Sequence, residues 1–580
     1  MRIIAILHAA VLATAALLCL ALPASAMTPD ELWKGCDPKA LPLDEQLLDQ
    51  WEVDGVSLKK VFFTSEVWKG VPVRVYAIYG YPKDKSNLPA VLHIHGGGGC
   101  ASLENVIYWA KRGYAAASFD HMGKLPGRTV YTHWGKVNAT ATYGAWGDDP
   151  KNDIYYHAVI ASMRMVTFLT AQPQVDPKRI GAYGISYGGC FIWLVSALDS
   201  RLKTVVPIVG SGSPEDQWQQ GTYREWCKLY NSSLYAPHQK CPLLFLNASN
   251  DFNAIMDNAD YTFRLVNTDK RQAYEVSYNH HLDPNVARDL PLWMDSQLRG
   301  GPAWPKMPDV KILLGTDGIP AAEVTPDTTQ QIEAVYVRYN LDAGVMPQAR
   351  FWRTVTATKS ADGKSWRAAM PIMDPATLIR AYCDVYYRSG VVLSSVLSKA
   401  VPSSLGQATA TLKPQSLIED FAGGKIVDWV WFPSGADPTN QAEVAPHLVP
   451  VVDGPDGGWG IGANNTFIKG RLSASTTKIC DPAYLPGSHT RLAFRVHGEV
   501  GTKLTVVLYR DYWNFKQKEY KAELTIPAGE DWPRLSVAQS DFKDKDGNVL
   551  TSWDNLQQLR LEANYPEDKP AAFAMVEWAD

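Results

Sequence analysis

The stretch Gly181–Cys190, "GAYGISYGGC", sets Ser186 between Gly184 and Gly188, with Gly189 beyond them. Apolar residues lead into it through "RIGAYG" and leave it through "CFIWLVSALD". A serine that only packs has no need of glycine two places away on both sides. A serine thrust out on a sharp strand-to-helix turn does, because a side chain at either position would collide with the turn. The string GxSxG is weak by itself. It carries weight here because it has the strand before it and the apolar helix after it that the turn requires.

A serine hydroxyl is a poor nucleophile until a base takes its proton. On a parallel sheet with this turn, the chain order is serine, then acid, then histidine. "PLLFLNASND" ends a strand of buried type on Asp251, and "YEVSYNHHLDP" ends another on His280 and His281. His280 follows the strand and Asn279 directly and is favoured as the base. Spacing alone does not separate it from His281, so both stay candidates. Asp257 and Asp260 are the alternative acids, in which case Asp251 caps a helix. The charge that develops on the attacked carbonyl needs two N–H donors. One is the backbone N–H of Tyr187, the residue after the serine. The other is expected in "HIHGGGGC", where four glycines let the backbone curl and Gly97 is the candidate donor. His93 and His95 then orient that loop. In "EDQWQQGTYREWCKLYNSSLY", Trp218, Tyr223 and Trp226 either line a substrate cleft or pack a helical insertion.

The pattern around these motifs is an alternation of short apolar strands and helical stretches from about residue 52 to 300. "PVRVYAIYGYP", "LPAVLHIHG", "YAAASFD" and "LKTVVPIVGSG" read as strands, and "IYYHAVIASMRMVTFLTAQ" and "DLPLWMDSQLRG" as helices. Alternation of this kind predicts a mostly parallel, doubly wound α/β sheet with helices on both faces. "GGPAWPKMP", residues 300 to 308, punctuates the chain as a linker. Beyond it, short alternating segments such as "QIEAVYVRYN" and "LIRAYCDVYYRSG" predict a β-sandwich of residues 303–405. "TRLAFRVHGE", "KLTVVLYRD" and "AAFAMVEWAD" predict a second over 406–580.

The chain has 580 residues, 20 tryptophans, 27 tyrosines and a formal net charge of −4 spread without long runs. That balance speaks against nucleic acid or an anionic membrane as partner. Residues 1–26 have the parts of a secretory signal: Arg2, a short apolar run, then Ala24-Ser25-Ala26 for cleavage. The expected mature protein, 27–302 being its catalytic domain, is exported and soluble. Cys19 leaves with the signal. Cys36, Cys100, Cys190, Cys227, Cys241, Cys383 and Cys480 remain, an odd number, so at least one stays free or pairs between chains. No CxxC pair or His/Cys cluster suggests a metal, and no cofactor is expected.

"VDPKRIGAYGISYGG", the "HGGGG" loop, "LDSRLKTVVPIVG" and "LNASNDF" together resemble the acetyl xylan esterase and cephalosporin-C deacetylase-like branch of α/β hydrolases, which adjoins the prolyl oligopeptidase catalytic domain. The resemblance covers roughly residues 50 to 300. It implies a cofactor-free Ser186–Asp251–His280 triad that removes acyl groups from glycans, and the doubled "NHH" leaves open which histidine matches the family base. "LIEDFAGGKIVDWVWF" and the strands after it resemble galactose-binding-like sandwiches of secreted glycan-active proteins. Such domains often hold calcium, although no ligand spacing names a site here. The middle sandwich resembles a fibronectin or immunoglobulin-like spacer in pattern only, and fold analogy assigns it no function. The expected function is a secreted carbohydrate esterase, acetyl being the expected acyl group and an acylated polysaccharide the substrate. The rivals are a prolyl oligopeptidase-like peptidase, an esterase for feruloyl or methyl esters, and a catalytically dead glycan-binding hydrolase. A propeller of the peptidase kind does not fit in the short stretch between the signal and the first strands.

Overall fold

The structure, a computed structural model, describes residues 27–140, 142–361, 363–431, 446–466, 468–510 and 518–580. The expected signal segment, 1–26, lies outside the described residues. No helix among the described residues is long and apolar enough to cross a membrane.

Nine strands form the first sheet: β1 (Gln46–Val53), β2 (Val56–Trp68), β3 (Val71–Pro82), β4 (Leu88–Ile94), β5 (Ala115–Phe119), β6 (Val175–Ile185), β7 (Thr204–Ile208), β8 (Leu243–Ala248) and β9 (Lys270–Glu275). Their order is β1-β2-β3-β5-β4-β6-β7-β8-β9. The first three strands are antiparallel, and the sheet from β5 to β9 is parallel. This is the α/β-hydrolase arrangement. Strands β4, β5, β7 and β8 are buried throughout, as strands covered on both faces must be. The helices Leu103–Lys111, Ile154–Thr170 and Tyr187–Leu198 lie where the periodicity places them, and Gly300, at φ 71°, closes the helix Asp289–Arg299. The hairpin β1–β2 escapes the sequence pattern. Its edge strand β1 is largely exposed, Leu47 and Leu48 included, so it shows no clean alternation.

Two β-sandwiches follow. The middle one sets strands such as Ile332–Leu341 and Ile379–Tyr387 against a four-stranded sheet running from Asp309–Leu314. The last sets a six-stranded sheet around Ala572–Ala579 against a five-stranded sheet around Leu556–Asn564. Each has its own apolar core.

The expected linker is not a free tether. Trp304 packs edge-on against Trp293 at 5.0 Å, and Arg271 Nε donates to the Pro305 carbonyl. The middle sandwich is docked on the edge of the first sheet. Tyr274 N donates to Ser394 Oγ (2.8 Å), Gln272 Nε2 to Ser395 O (2.8 Å), and Tyr274 shares an apolar cluster with Trp352 and Tyr382. The buried Arg353–Asp481 ion pair (2.7 Å) joins the two sandwiches. All seven cysteines after Ala26 are free thiols. Among the described residues no group of three or more His, Cys, Asp or Glu side chains is placed to hold a metal ion.

Candidate active site

Strand β6 ends at Ile185, and Ser186 turns the chain into the helix Tyr187–Leu198 with φ 57° and ψ −112°. A non-glycine residue in that region costs on the order of 1–3 kcal/mol and persists only where its surroundings over-determine it. Here they do. Ser186 N donates to Ile208 O of β7 (2.9 Å), and Cys190 N donates to Ser186 O (2.9 Å) as the helix begins. A Cβ on Gly188 would lie 2.1 Å from Ile94 O of β4, and one on Gly184 would lie 2.2 Å from Gly188 O. Both contacts are with backbone, which has nowhere to retreat. Glycine at these places is what lets the helix press on the strand.

The loops that follow β8 and β9, at the same carboxyl edge of the sheet, converge on this turn. His280 Nε2 lies 2.8 Å from Ser186 Oγ, and His280 Nδ1 lies 2.8 Å from Asp251 Oδ2. The other carboxylate oxygen, Asp251 Oδ1, accepts from the N–H groups of Asn253 (2.6 Å) and Ala254 (2.7 Å). One oxygen is therefore fixed by backbone while the other faces the imidazole. Asn279 ties the two loops together: its Oδ1 accepts from Phe252 N (3.1 Å) and His280 N (2.7 Å).

His281 does not share this arrangement. It is buried beside Tyr278 and 6.2 Å, ring to ring, from His447 of the last sandwich. The alternative acids are engaged elsewhere. Asp257 pairs with Arg350 and Lys399 of the middle sandwich, and Asp260 with Arg264 and the Leu397 N–H.

The glycine loop lies against the serine. A Cβ on Gly96 would sit 3.3 Å from Ser186 Cβ, and one on Gly97 would sit 3.3 Å from the Tyr187 ring. Tyr187 opens its helix, so its N–H has no partner within the helix. Behind the loop stands His95, expected there, together with Asp120, His121 and Arg128, which the sequence pattern does not flag. His95 Nδ1 contacts Gly96 O (2.7 Å); a carbonyl only accepts, so the proton is on Nδ1. His95 Nε2 accepts from His121 N (3.2 Å), and the two imidazoles stack at 3.8 Å. Burial, then the neighbouring His95, holds His121 well below the usual imidazole range. Asp120 accepts from Met122 N, Thr132 N and Arg128, whose Nη2 donates to Gly98 O (2.8 Å) and to Gly99 O. Burial opposes ionisation of Asp120, but the Thr132 and Met122 N–H groups and the Arg128 guanidinium win and hold its carboxyl below the usual value. Asp120 closes the strand in "YAAASFD", a position any strand-end carboxylate can occupy, and neither spacing nor motif singles it out.

The aromatic insertion realises its packing reading at two of three positions. Trp218 and Trp226 are each 7 % exposed, and Trp218 Nε1 donates to Ser213 O (3.1 Å). Trp226 is stacked between Tyr223 (5.7 Å) and Tyr230 (5.8 Å). Trp218 and Trp226 are therefore packing residues rather than a cleft lining. Tyr223 remains half-buried beside Tyr143, whose hydroxyl meets that of Tyr187.

The loops that carry acid and base are held from outside the first domain. Asn250, buried, donates through Nδ2 to Gln348 O (2.9 Å) and Arg350 O (2.7 Å) of the middle sandwich, and Thr477 Oγ1 of the last sandwich also donates to Arg350 O (3.1 Å). Val430 of the last sandwich packs with Ala248 and Tyr278, the residues just before the two loops.

The family described as acetyl xylan esterase (AXE1) matches residues 40–211, under a third of the chain, which takes in Ser186 and the glycine loop but neither Asp251 nor His280. A curated relative, the acetyl esterase Axe7A of Xylanibacter ruminicola, is 29 % identical over 144 residues, 23 % of this chain and 32 % of that protein. The chain thus spans about a third of the curated relative's length. Among solved structures, the acetyl xylan esterase from Paenibacillus sp. R4 is 20 % identical, with a TM-score of 0.37 over 44 % of this chain and 90 % of its own. Acetyl Xylan Esterase 1 from Thermoanaerobacterium sp. JW/SL YS485 is 18 % identical, with a TM-score of 0.39 over 47 % and 95 %. Over residues 40–211, the part of its first domain that carries the nucleophile turn and the glycine loop, the chain is acetyl xylan esterase-like.

Proposed function

We propose that this protein is an exported serine esterase that removes acyl groups, acetyl first among them, from a polysaccharide. The observation that carries the reading is the hydrogen-bonded line Asp251–His280–Ser186, which starts from a strained turn covered by the glycine loop. The likeness of residues 40–211 to acetyl xylan esterases supplies the ester and the glycan.

In this mechanism Ser186 Oγ attacks the ester carbonyl and His280 Nε2 takes its proton. Asp251, fixed by two backbone donors, keeps the imidazole in the tautomer that leaves Nε2 free and then balances the imidazolium. The N–H groups of Tyr187 and Gly97 meet the charge on the tetrahedral oxygen. The imidazolium returns its proton to the sugar oxygen as it leaves, and an acyl group remains on Ser186. Water, deprotonated by the same imidazole, clears the acyl group as a carboxylic acid and restores the serine.

The test is acid release from an acetylated glycan by the parent and by Ser186→Ala. Release by the parent, with a loss of about 10⁴-fold or more in the variant, is expected. Equal release from both would sink the proposal, as would a fluorophosphonate probe that fails to label Ser186. Export is tested by sequencing the amino terminus of the mature protein, which is expected to begin at Met27.

A further inference from the structure

A cleft of about 850 Å³ opens where the three domains meet, and none of Ser186, Asp251 or His280 lines it. The middle sandwich gives it the open face of one sheet, with Tyr336 and Tyr386. The last sandwich gives it the segment from Glu419 to Asp428, and the first domain gives it Asn285 and Arg288. Cavities of a few hundred to about 1,000 Å³ at domain junctions are the usual size and place of ligand sites.

The lining says what kind of ligand fits. Tyr336 and Tyr386 meet edge to face at 5.5 Å, and the Arg338 guanidinium lies 5.1 Å from the Tyr336 ring centre. Half of the charged side chains are neutralised inside the protein. Arg338 is bonded to Asp384 (2.8 Å), and Lys478 to Glu419 (2.9 Å), with Asp428 at 3.3 Å. What is left over is mixed in sign: Arg288 and Lys425 on one side, Glu333 and Asp420 on the other. The Arg288 side chain has no hydrogen-bond or ion-pair partner among the described residues, and its Nε is buried without one.

A polyanion would meet two carboxylates, and an apolar ligand would strand ionised walls. A neutral, polyhydroxylated chain suits every element. Its C–H faces pack on tyrosine rings, and its neighbouring hydroxyl pairs match planar guanidinium, amide and carboxylate groups.

We propose that this junction is a second glycan subsite, which holds an uncharged stretch of the polysaccharide while another part of it presents its ester to Ser186. The assignment rests on the glycan esterase reading above. One short stretch, 280–288, carries both the base and the first domain's wall of the cleft. The subsite raises the local concentration of polymer at the reacting end and does nothing for a small ester, which has no chain to place in it.

Calorimetry on Ser186→Ala with three neutral probes, xylohexaose, cellohexaose and mannohexaose, tests the binding. Saturable binding of at least one is expected, weakened about tenfold or more by Tyr336→Ala with Tyr386→Ala. In the active chain, the same pair should raise KM for acetylated polymer by a similar factor and leave turnover of p-nitrophenyl acetate unchanged. Arg288→Ala, at a partly exposed position, should act in the same direction and covers the case in which the tyrosine pair fails to fold. The proposal is overturned if none of the three hexaoses binds, or if only a polyanion such as polygalacturonate does. It is also overturned if the folded variants bind as the parent does, or if polymer and small-ester turnover fall together. A parent that leaves p-nitrophenyl acetate and acetylated glycan alike untouched defeats the esterase reading instead, and the hexaose titration still decides the cleft.

Discussion

Ser186 and the glycine loop are held by residues of one domain, whereas the loops of Asp251 and His280 are packed from outside by both sandwiches. On the first side, backbone contacts from β4 and β7 and the Asp120–His121–Arg128 group surround the turn. On the second side, Asn250 reaches Gln348 and Arg350, and Val430 wedges beside Ala248 and Tyr278. Both sides meet at the 2.8 Å contact of His280 with Ser186. The lesson is that the sandwiches are more than appendages. They fix where the acid and base stand relative to a nucleophile that does not need them.

Substitutions on the two sides should therefore differ in kind. The largest effect is expected from Asp251→Asn, which keeps the shape but lets Nδ1 lose its fixed proton; kcat on an acetyl ester should fall about 10⁴-fold, read by steady-state kinetics. A fall of only a few-fold would mean that the acid side does not orient the base at all. Arg128→Ala comes next. It frees the Gly98 and Gly99 carbonyls, so the loop wanders, and kcat should fall roughly 10- to 100-fold with KM little changed. The buried Asp120 carboxylate, left without its guanidinium, lowers the thermal midpoint. Asn250→Ala should behave otherwise. It leaves the Gln348 carbonyl without its donor and the Arg350 carbonyl with Thr477 alone, at about 1–3 kcal/mol of stability, with a fall in kcat of only a few-fold. Denaturant unfolding beside kinetics separates these outcomes. If Asn250→Ala lowers kcat as much as Arg128→Ala at no cost in stability, the division between the two sides is wrong.

This division also governs how much could be read from the sequence. The nucleophile turn is written in contiguous residues, Gly184 to Gly189, because its constraint is local: a Cβ there strikes backbone only a few residues or one strand away. The order of strands that ends on Asp251 and on His280 is legible for the same reason, as each strand feeds its loop directly. His280 and His281 are not separable that way. What turns one toward Ser186 and buries the other is Asn279 on one flank and the last sandwich, through His447, on the other. Asn250 stands next to Asp251 in the chain, yet its partners are about a hundred residues away. The hairpin β1–β2 hides for a different reason, since an edge strand in contact with water does not need the alternation that marks a half-buried one.

The smallest expected effect on turnover is at Asp153, on the nucleophile side. It caps the helix Ile154–Thr170 by accepting from Tyr155 N (2.9 Å) and also accepts from Gly144 N, next to the Tyr143 that touches Tyr187. Burial raises its carboxyl to about 6, more than these backbone donors lower it. A value above the ordinary 3.8 means that the folded chain holds the proton more tightly than the unfolded one. Its contribution to stability is thus present below about pH 4 and is lost as pH rises through about 6. Asp153→Asn keeps an acceptor oxygen for the cap but cannot ionise. The variant and the parent should have equal stability near pH 4, and the variant should gain up to about 3 kcal/mol by pH 8, with kcat unchanged. Chemical denaturation at the two pH values measures the difference. A gap that is flat with pH would show that the carboxylate is already stabilised in its charged form, and that the turn under Tyr187 carries no cost for holding it.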